Sequence, residues 1–424
     1  MDVPATRLAQ LVRGKHLTAK DFVDAFGDQA KAMGESATIT ERQAQRWLAG
    51  HAQPRGGVNA RVLERWFGET LAVLFGPPQS ASTPTLTGEE LVMAAAHEST
   101  QHALSATAAL DPAAIEQLHA AARRYARAYT TMPPMSLFTQ LVELRRTVWD
   151  LLDQTRRPRQ QTELYLIAGL ITGLMASVSW DLGHPDVAEE QAQAAITYGS
   201  VIEHLPLMSW ARALQATVTF WGGRPRQAEK VAAAALELAP PGTARVRLHA
   251  VHARALAMLG ARGEVAEAVE RATDELGSTD RDEFFSAGGE LAFGSARLSL
   301  CAASSYIALG EPAAAEREAQ AALDEWARTP EGDRWLPGEL SARADLVAAR
   351  VLDDSLDGVV EALKPVLKLS PDRRTEALTR RLAELRRAVS APRFRGSPSA
   401  TEIGEQIEAW TARTVARPSL PPVG

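Results

Sequence analysis

The sequence predicts an all-α fold, with a small N-terminal helical bundle followed by a long α-solenoid of helical hairpins. Three observations carry this. Alanine, leucine, glutamate and arginine fill most of the long segments, and these are strong helix formers. No stretch alternates apolar and polar residues over the length of a strand. A glycine-punctuated segment recurs through the second half of the chain, as tandem helical units require. With 46% hydrophobic and 23% charged residues the chain forms a core, and 424 residues allow two or three domains.

The expected organisation runs from a bundle at 1–75, through a Pro/Ser/Thr/Gly-rich linker at 76–90, to a helical-repeat body at 91–390 and a tail at 391–424 with a short helix. In the bundle, Leu8, Leu11 and Val12 mark a first helix, and Phe22, Ala25, Phe26 and Met33 the inward face of a second. A third follows in "TITERQAQRWLAG", Thr38 to Gly50. Thr40 is its N-cap and Gln43, three residues on, completes a capping box, with Ile39 and Ala44 placed as a hydrophobic staple. That cap puts Ala44, Trp47 and Leu48 on one face and turns Glu41, Arg42, Gln45 and Arg46 away, with Gln43 on the flank. A fourth helix carries Val62, Leu63, Trp66 and Phe67.

Charge is unevenly spread. The net value is −6, yet residues 1–80 carry 10 Lys/Arg against 8 Asp/Glu, and the remainder carries 36 against 44. Only the head is a plausible nucleic-acid surface. Arg and Gln can engage guanine and adenine edges in a major groove, although a solvated helix carries the same residues.

From residue 183 four similar segments begin at Gly183, Gly223, Gly263 and Gly310, with a degenerate fifth from Ser355. Each follows an Ala/Leu-rich helix, so each unit is a helix, a tight turn and a second helix with small residues. One hairpin cannot bury its apolar face alone, whereas a stack can. Tyr165, Trp180, Trp210, Trp221, Phe284, Phe285, Tyr306 and Trp326 either line a binding face or pack between hairpins. Arg212, Arg245, Arg247, Arg254 and Arg297 recur on first helices, where they either converge on a carboxylate or phosphate or are solvated. "PDRRTEALTRRLAELRRAVS", with Leu378, Leu382, Leu385 and Val389 on one face, reads as the terminal cap.

Enzymatic signatures are thin, and neither a cofactor nor a metal site is expected. His97 and His102 lie five residues apart, which misses the one-turn spacing of a zinc-protease pair. Cys301, the single cysteine, sits in the apolar run "LSLCAASS" and reads as core; it fits a reducing compartment. With no secretory pattern at the start and no long apolar run, a cytoplasmic protein without a membrane span is expected.

The segment "RWLAGHAQP", Arg46 to Pro54, resembles the end of the recognition helix in Cro/repressor-type (XRE-like) helix-turn-helix domains, where a Trp-x-x-Gly pattern precedes a proline-containing loop. The turn before it, "GDQAKAMGESATIT", is longer than that family's. The repeats resemble tetratricopeptide hairpins, at intervals of 40 to 47 residues rather than about 34. Jointly the chain resembles actinobacterial transcriptional regulators with a tetratricopeptide-like sensor. The resemblance implies a homodimer on double-stranded DNA, switched by a small-molecule or peptide effector. Arg42, Gln43, Gln45 and Arg46 would then meet bases or the groove, and Arg55 and Arg61 phosphates. The effector residues would be Tyr165, Trp180, Trp210, Arg212, Trp221, Arg247, Arg254, Phe285, Arg297 and Tyr306. The alternative is a tetratricopeptide-like protein-interaction scaffold whose head does not bind DNA.

Overall fold

A computed structural model of the chain describes residues 4–15, 17–54, 56–78, 88–105, 111–155, 157–278, 282–330 and 334–412, and all regular structure among them is helical. The chain divides into two compact units, Met1–His97 and Glu98–Gly424.

The first unit holds α1 (Arg7–Gly14), α2 (Ala19–Ala32), α3 (Glu41–Leu48), α4 (Val58–Phe67) and α5 (Leu71–Leu74). Both α2 and α3 start with a full capping box. In α3 the Thr40 N–H donates to Gln43 Oε1 at 2.9 Å, and the Gln43 N–H donates to Thr40 Oγ1 at 3.2 Å. Leu8, Phe22, Phe26, Ala44, Trp47 and Leu63 form the core, and Trp47 sits edge-on to Phe26 and Phe75. Two details differ from expectation. Ala25 is only half-buried, and Ala30 takes the inward position one turn later. The fifth helix, α5, was too short to show a periodicity, and it enters the core through Leu74.

In the chain around the division lies α6 (Gly88–Ser105). The second unit opens with α7 (Pro112–Ala128) and α8 (Pro134–Gln154) and continues in antiparallel pairs. These are α9 (Pro158–Asp181) with α10 (Pro185–Val201), α11 (Leu205–Trp221) with α12 (Pro225–Leu236), and α13 (Thr243–Met258) with α14 (Arg262–Ser278). After the short α15 (Glu283–Ala287) come α16 (Ser295–Ala308) with α17 (Pro312–Arg328), and α18 (Leu336–Leu352) with α19 (Val359–Leu367). The chain then forms α20 (Glu376–Val389) and α21 (Pro398–Thr411). The turn glycines of the first, second and fourth pairs, Gly183, Gly223 and Gly310, have positive φ, as the sequence pattern suggested. The third pair corrects it: the left-handed glycine is Gly260, and Gly263 lies inside α14.

Each pair divides its labour by composition. The first helices α9, α13 and α16 are buried around much of their circumference, whereas the second helices bury one narrow stripe of small residues. Ala188, Ala192 and Ala195 on α10, and Ala315, Ala319 and Ala322 on α17, recur at three or four residues along one face. Small side chains there let the partner helix approach closely. The window of α9 that is long and apolar enough to cross a membrane is 78% buried inside the protein, as in a core helix.

Residues 371–390 do more than cap the stack. Arg380 of α20 reaches back to the Trp221 carbonyl, and its guanidinium lies over the Trp180 ring. The first helices α9, α11, α13, α16 and α18 are thus joined by α20 into a closed circuit. The region expected as a tail contains α21, whose Ile403, Ile407 and Trp410 are buried against α19 and α20.

One contact tests how tightly α9 meets α11. A Cβ on Gly173 would lie 2.2 Å from the Trp210 ring, and Trp210 is fully buried. Gly173→Ala is expected to destabilise the second unit by about 1–3 kcal/mol through overpacking, despite its gain in helix propensity. Urea denaturation followed by tryptophan fluorescence measures this, and a stabilised variant would show that the helices can separate at no cost.

Candidate functional site

Two regions carry concentrated functional groups, one in each unit. In the first unit it is the outer face of α3. With Ala44 and Trp47 buried, Glu41, Arg42, Gln43, Gln45 and Arg46 are all exposed, and Leu48 is half-buried at the edge. The long connection from Met33 to Thr40 is pinned, because Ala37 and Ile39 are buried in the same core that holds Trp47. Gln43 spends its carbonyl oxygen on the cap, while the Gln45 amide donates to Glu41 at 3.4 Å. Arg61 is exposed but ion-paired to Glu35 at 2.7 Å, so a phosphate would have to compete for it. Arg55 lies outside the described residues.

In the second unit the first helices of the circuit enclose a cavity of about 120 Å³. Its position follows from a loop. Between α14 and α16 the chain inserts α15 and the segment 288–294, and Gly289 makes the insertion possible. Gly289 has φ +59, and a Cβ on it would lie 1.9 Å from the Ala126 carbonyl oxygen, so only glycine allows this approach to the end of α7. The next residue, Glu290, donates its N–H to that same carbonyl at 2.9 Å and turns its side chain inward.

Glu290 is the centre of a buried network. Its Oε1 accepts from Arg247 Nη1 at 2.8 Å and Ser177 Oγ at 3.1 Å, and its Oε2 accepts from Arg297 Nη1 at 2.9 Å. Arg247 Nη2 also donates to the Glu290 carbonyl, and Arg297 Nη2 to that of Gly289 at 3.0 Å. Burial alone would raise the Glu290 pKa, but the two guanidinium groups outweigh it and hold the carboxyl below its ordinary value. A second pair lies across the cavity, where Arg381 Nε donates to Asp345 Oδ1 at 2.9 Å and Ser304 closes the triangle.

The arginines are layered with rings. Arg297 lies 4.2 Å from the Trp335 centroid, and Arg254 lies 4.8 Å from both Phe220 and Trp221. Asp181 completes the wall. Burial pushes its carboxyl up to about 7, with neighbouring Glu290 acting in the same sense and a hydrogen bond with Tyr129 opposing.

Beside the cavity is a more open groove of about 880 Å³, walled by the ends of α13, α14, α16 and α17 and by the glycine-rich insertion. Arg297 and Trp335 line both spaces.

Among the residues singled out from sequence, Trp180, Trp221, Arg247, Arg254 and Arg297 converge on the cavity, and Phe285, Trp326 and Arg297 on the groove. The rest lie elsewhere. Tyr165 packs on Tyr198, Trp210 is core against Phe284, Arg212 bonds Gln215, Arg245 faces Glu275, and Tyr306 joins a small cluster with Leu256. Sequence reasoning missed Glu290, Asp345, Arg381, Asp181 and Trp335. The one available signal was "SAGGELAFG", an acid set between glycines and apolar residues in the widest interval between repeats. No cluster of metal-ligating side chains occurs among the described residues, and the His102 side chain lies outside them.

No protein-family model matches the chain, and no curated protein sequence matches it.

The raised Asp181 pKa has a stability consequence. Near pH 3.8 and below, both folded and unfolded chains hold this proton; between 3.8 and about 7 only the folded chain does. Stability therefore falls as pH rises through that window, and the loss is complete above it. Asp181→Asn removes the effect, so it should raise the melting temperature well above pH 7 by the equivalent of a few kcal/mol, on the order set by about three pK units. The gain should vanish near pH 4. Calorimetry at both pH values checks this, and an equal gain at each would rule out the buried ionisation.

Proposed function

We propose that this protein works by binding, as a helical-repeat interaction protein whose body takes a segment of a partner protein into the groove beside α13 and α16. The observation that carries this reading is the groove itself. Its volume lies within the range of ligand-binding clefts. It combines apolar walls (Val246, Leu276, Phe285, Trp326) with Arg127, Arg297 and Glu325, and stacked hairpins of this kind commonly present such surfaces.

A second reading is favoured by one specific observation, the exposed Arg/Gln face of α3 backed by a buried Trp47. In that reading α2 and α3 act as an XRE-like helix-turn-helix, the hairpins are tetratricopeptide-like, and a dimer sets two α3 helices on a palindromic DNA site. Arg42, Gln45 and Arg46 meet base edges or the groove, and binding in the body shifts the dimer between states of different DNA affinity.

The two readings have separate tests. Ser295 is exposed in the groove wall, and Ser295→Trp fills it without touching the core. Affinity capture from the source cells should retain a partner on the native chain and lose it on this variant; equal retention on both would sink the groove reading. For DNA, genomic fragments selected on the native chain should show an enriched site that the Arg42→Ala/Arg46→Ala variant no longer retains at unchanged helicity. A selection that enriches no site removes the regulator.

A further inference from the structure

The cavity holds an imbalance of charge that the groove reading does not use. Four guanidinium groups line or border it, those of Arg247, Arg254, Arg297 and Arg381. Arg247 and Arg297 share Glu290, and Arg381 has Asp345. Arg254, only 8% exposed, makes no ion pair of its own among the described residues; its favourable electrostatic neighbours are the Cys301 side chain and the Asp345 carboxylate already paired with Arg381. Its Nε and Nη2 have no hydrogen-bond partner there. An arginine cannot escape burial by losing its proton, as a lysine can, so an uncompensated guanidinium in an apolar setting is costly.

The identity of the unpaired atoms narrows the chemistry. Nε–H and Nη2–H form the side-on edge of the guanidinium fork, the edge that takes both oxygens of a carboxylate at once. The other unpartnered groups on the cavity wall, Arg247 Nε and Trp335 Nε1, are donors too. Every unsatisfied atom there calls for an acceptor. The rest of the wall mixes polar groups (Asp181, Thr217, Ser341 and Thr375, with Glu290 already shared between two arginines) with an apolar and aromatic surface of Val218, Trp221, Phe293 and Leu300, against which a hydrocarbon body can lie. The volume is close to that of an engineered protein cavity of about 150 Å³ that holds benzene.

We propose that this cavity is a binding site for a small organic monocarboxylate with a single ring or a branched aliphatic chain, whose carboxylate is held side-on by Arg254 and whose body lies against Trp221 and Leu300. The site goes beyond the partner reading and stands or falls apart from it, since Arg254, Trp221 and Leu300, which hold the ligand, do not line the groove. Arg254, carried between Phe220 and Trp221, is the specificity-determining residue. It accepts the anion already desolvated and already oriented, so little is lost in ordering it.

The test uses the full-length chain and measures melting temperature and tryptophan fluorescence against sodium benzoate and sodium 3-methylbutanoate. The corresponding neutral amides and inorganic phosphate are run beside them. The expected result is a saturable rise with at least one carboxylate, with its amide weaker by about tenfold or more, as loss of a charge-assisted pair predicts. Arg254→Met should abolish the rise while its ligand-free melting temperature stays at or above that of the native chain, because an unpaired buried charge has been removed. Arg254→Lys, a point charge without the fork, should bind more weakly than native. Four results would each overturn the proposal: no response to either carboxylate, equal responses to acid and amide, a response to phosphate alone, or full binding by Arg254→Met. Should Arg254→Met fail to fold, the acid–amide comparison on the native chain and the lysine variant still decide. Partner capture by the groove is measured with no carboxylate added, so failure of one reading is distinguishable from failure of the other.

Discussion

Glu290 is buried between Arg247 and Arg297, and much of the second unit is arranged around keeping that carboxylate ionised and fully bonded. Its ligands come from α9, α13 and α16, and its backbone is anchored on the end of α7, so one side chain ties together elements far apart in sequence. A carboxylate lost from this position would leave two guanidinium groups facing each other in a dry interior, a penalty on the order of 3–5 kcal/mol. The network is therefore a poor general source of stability but a strong determinant of geometry. It holds the insertion against the first helices in one register, and both the cavity and the groove take their shape from that register.

The alanine stripes supply the other half of the arrangement. Because α10, α12, α14 and α17 bury small residues, they come close to the first helices without needing large side chains between them, and the bulk of the interior falls to the first helices. Those helices carry aromatic and charged groups at their inner faces. When α20 closes the circuit back to α9, these groups meet across a short distance and cannot be hydrated individually. Layering each guanidinium on a ring is how the interior accommodates them: Arg247 on Phe293, Arg254 on Phe220 and Trp221, Arg297 on Trp335, Arg381 on Trp221.

The helical hairpins were legible in the sequence because their signals are local. Capping pairs such as Thr40 with Gln43, turn glycines such as Gly183 and Gly310, and alanine spacings all act within a few residues. The cavity was legible only in part, and for the same reason. Arg247, Arg254 and Arg297 recur on first helices, so their convergence follows once the hairpins stack. Their counter-ions do not recur: Glu290 sits in an insertion, and Asp345 and Arg381 meet across α18 and α20 through a closure that no repeat pattern announces. The third turn shows the limit in miniature, since the repeat pattern begins at Gly263 while the chain turns at Gly260, where the following Ala261 N–H donates to the Leu256 carbonyl at 3.1 Å. Trp210 and Tyr165 illustrate the reverse, aromatic residues at suitable spacing that are taken up by packing against Phe284 and Tyr198.

The cavity and the groove share a wall, and that wall is made of the stacked pair Arg297 and Trp335. Arg297 is bound on one side to Glu290 and the Gly289 carbonyl, so it cannot move without disturbing the insertion that frames the groove. A ligand that alters the charge felt by Arg247, Arg254 and Arg297 changes how firmly Glu290 must be shared among them. A segment seated in the groove acts on the same Arg297 from its other face. If both sites bind, linkage makes the effect mutual: whatever factor the cavity ligand applies to groove affinity, the groove partner applies to cavity affinity. The sign depends on whether the two ligands favour the same position of the stack, and a single rigid position gives no coupling, because a ligand shifts only an equilibrium between states it binds differently. The buried triad thus sets both the shape of the two spaces and the stiffness of the partition between them.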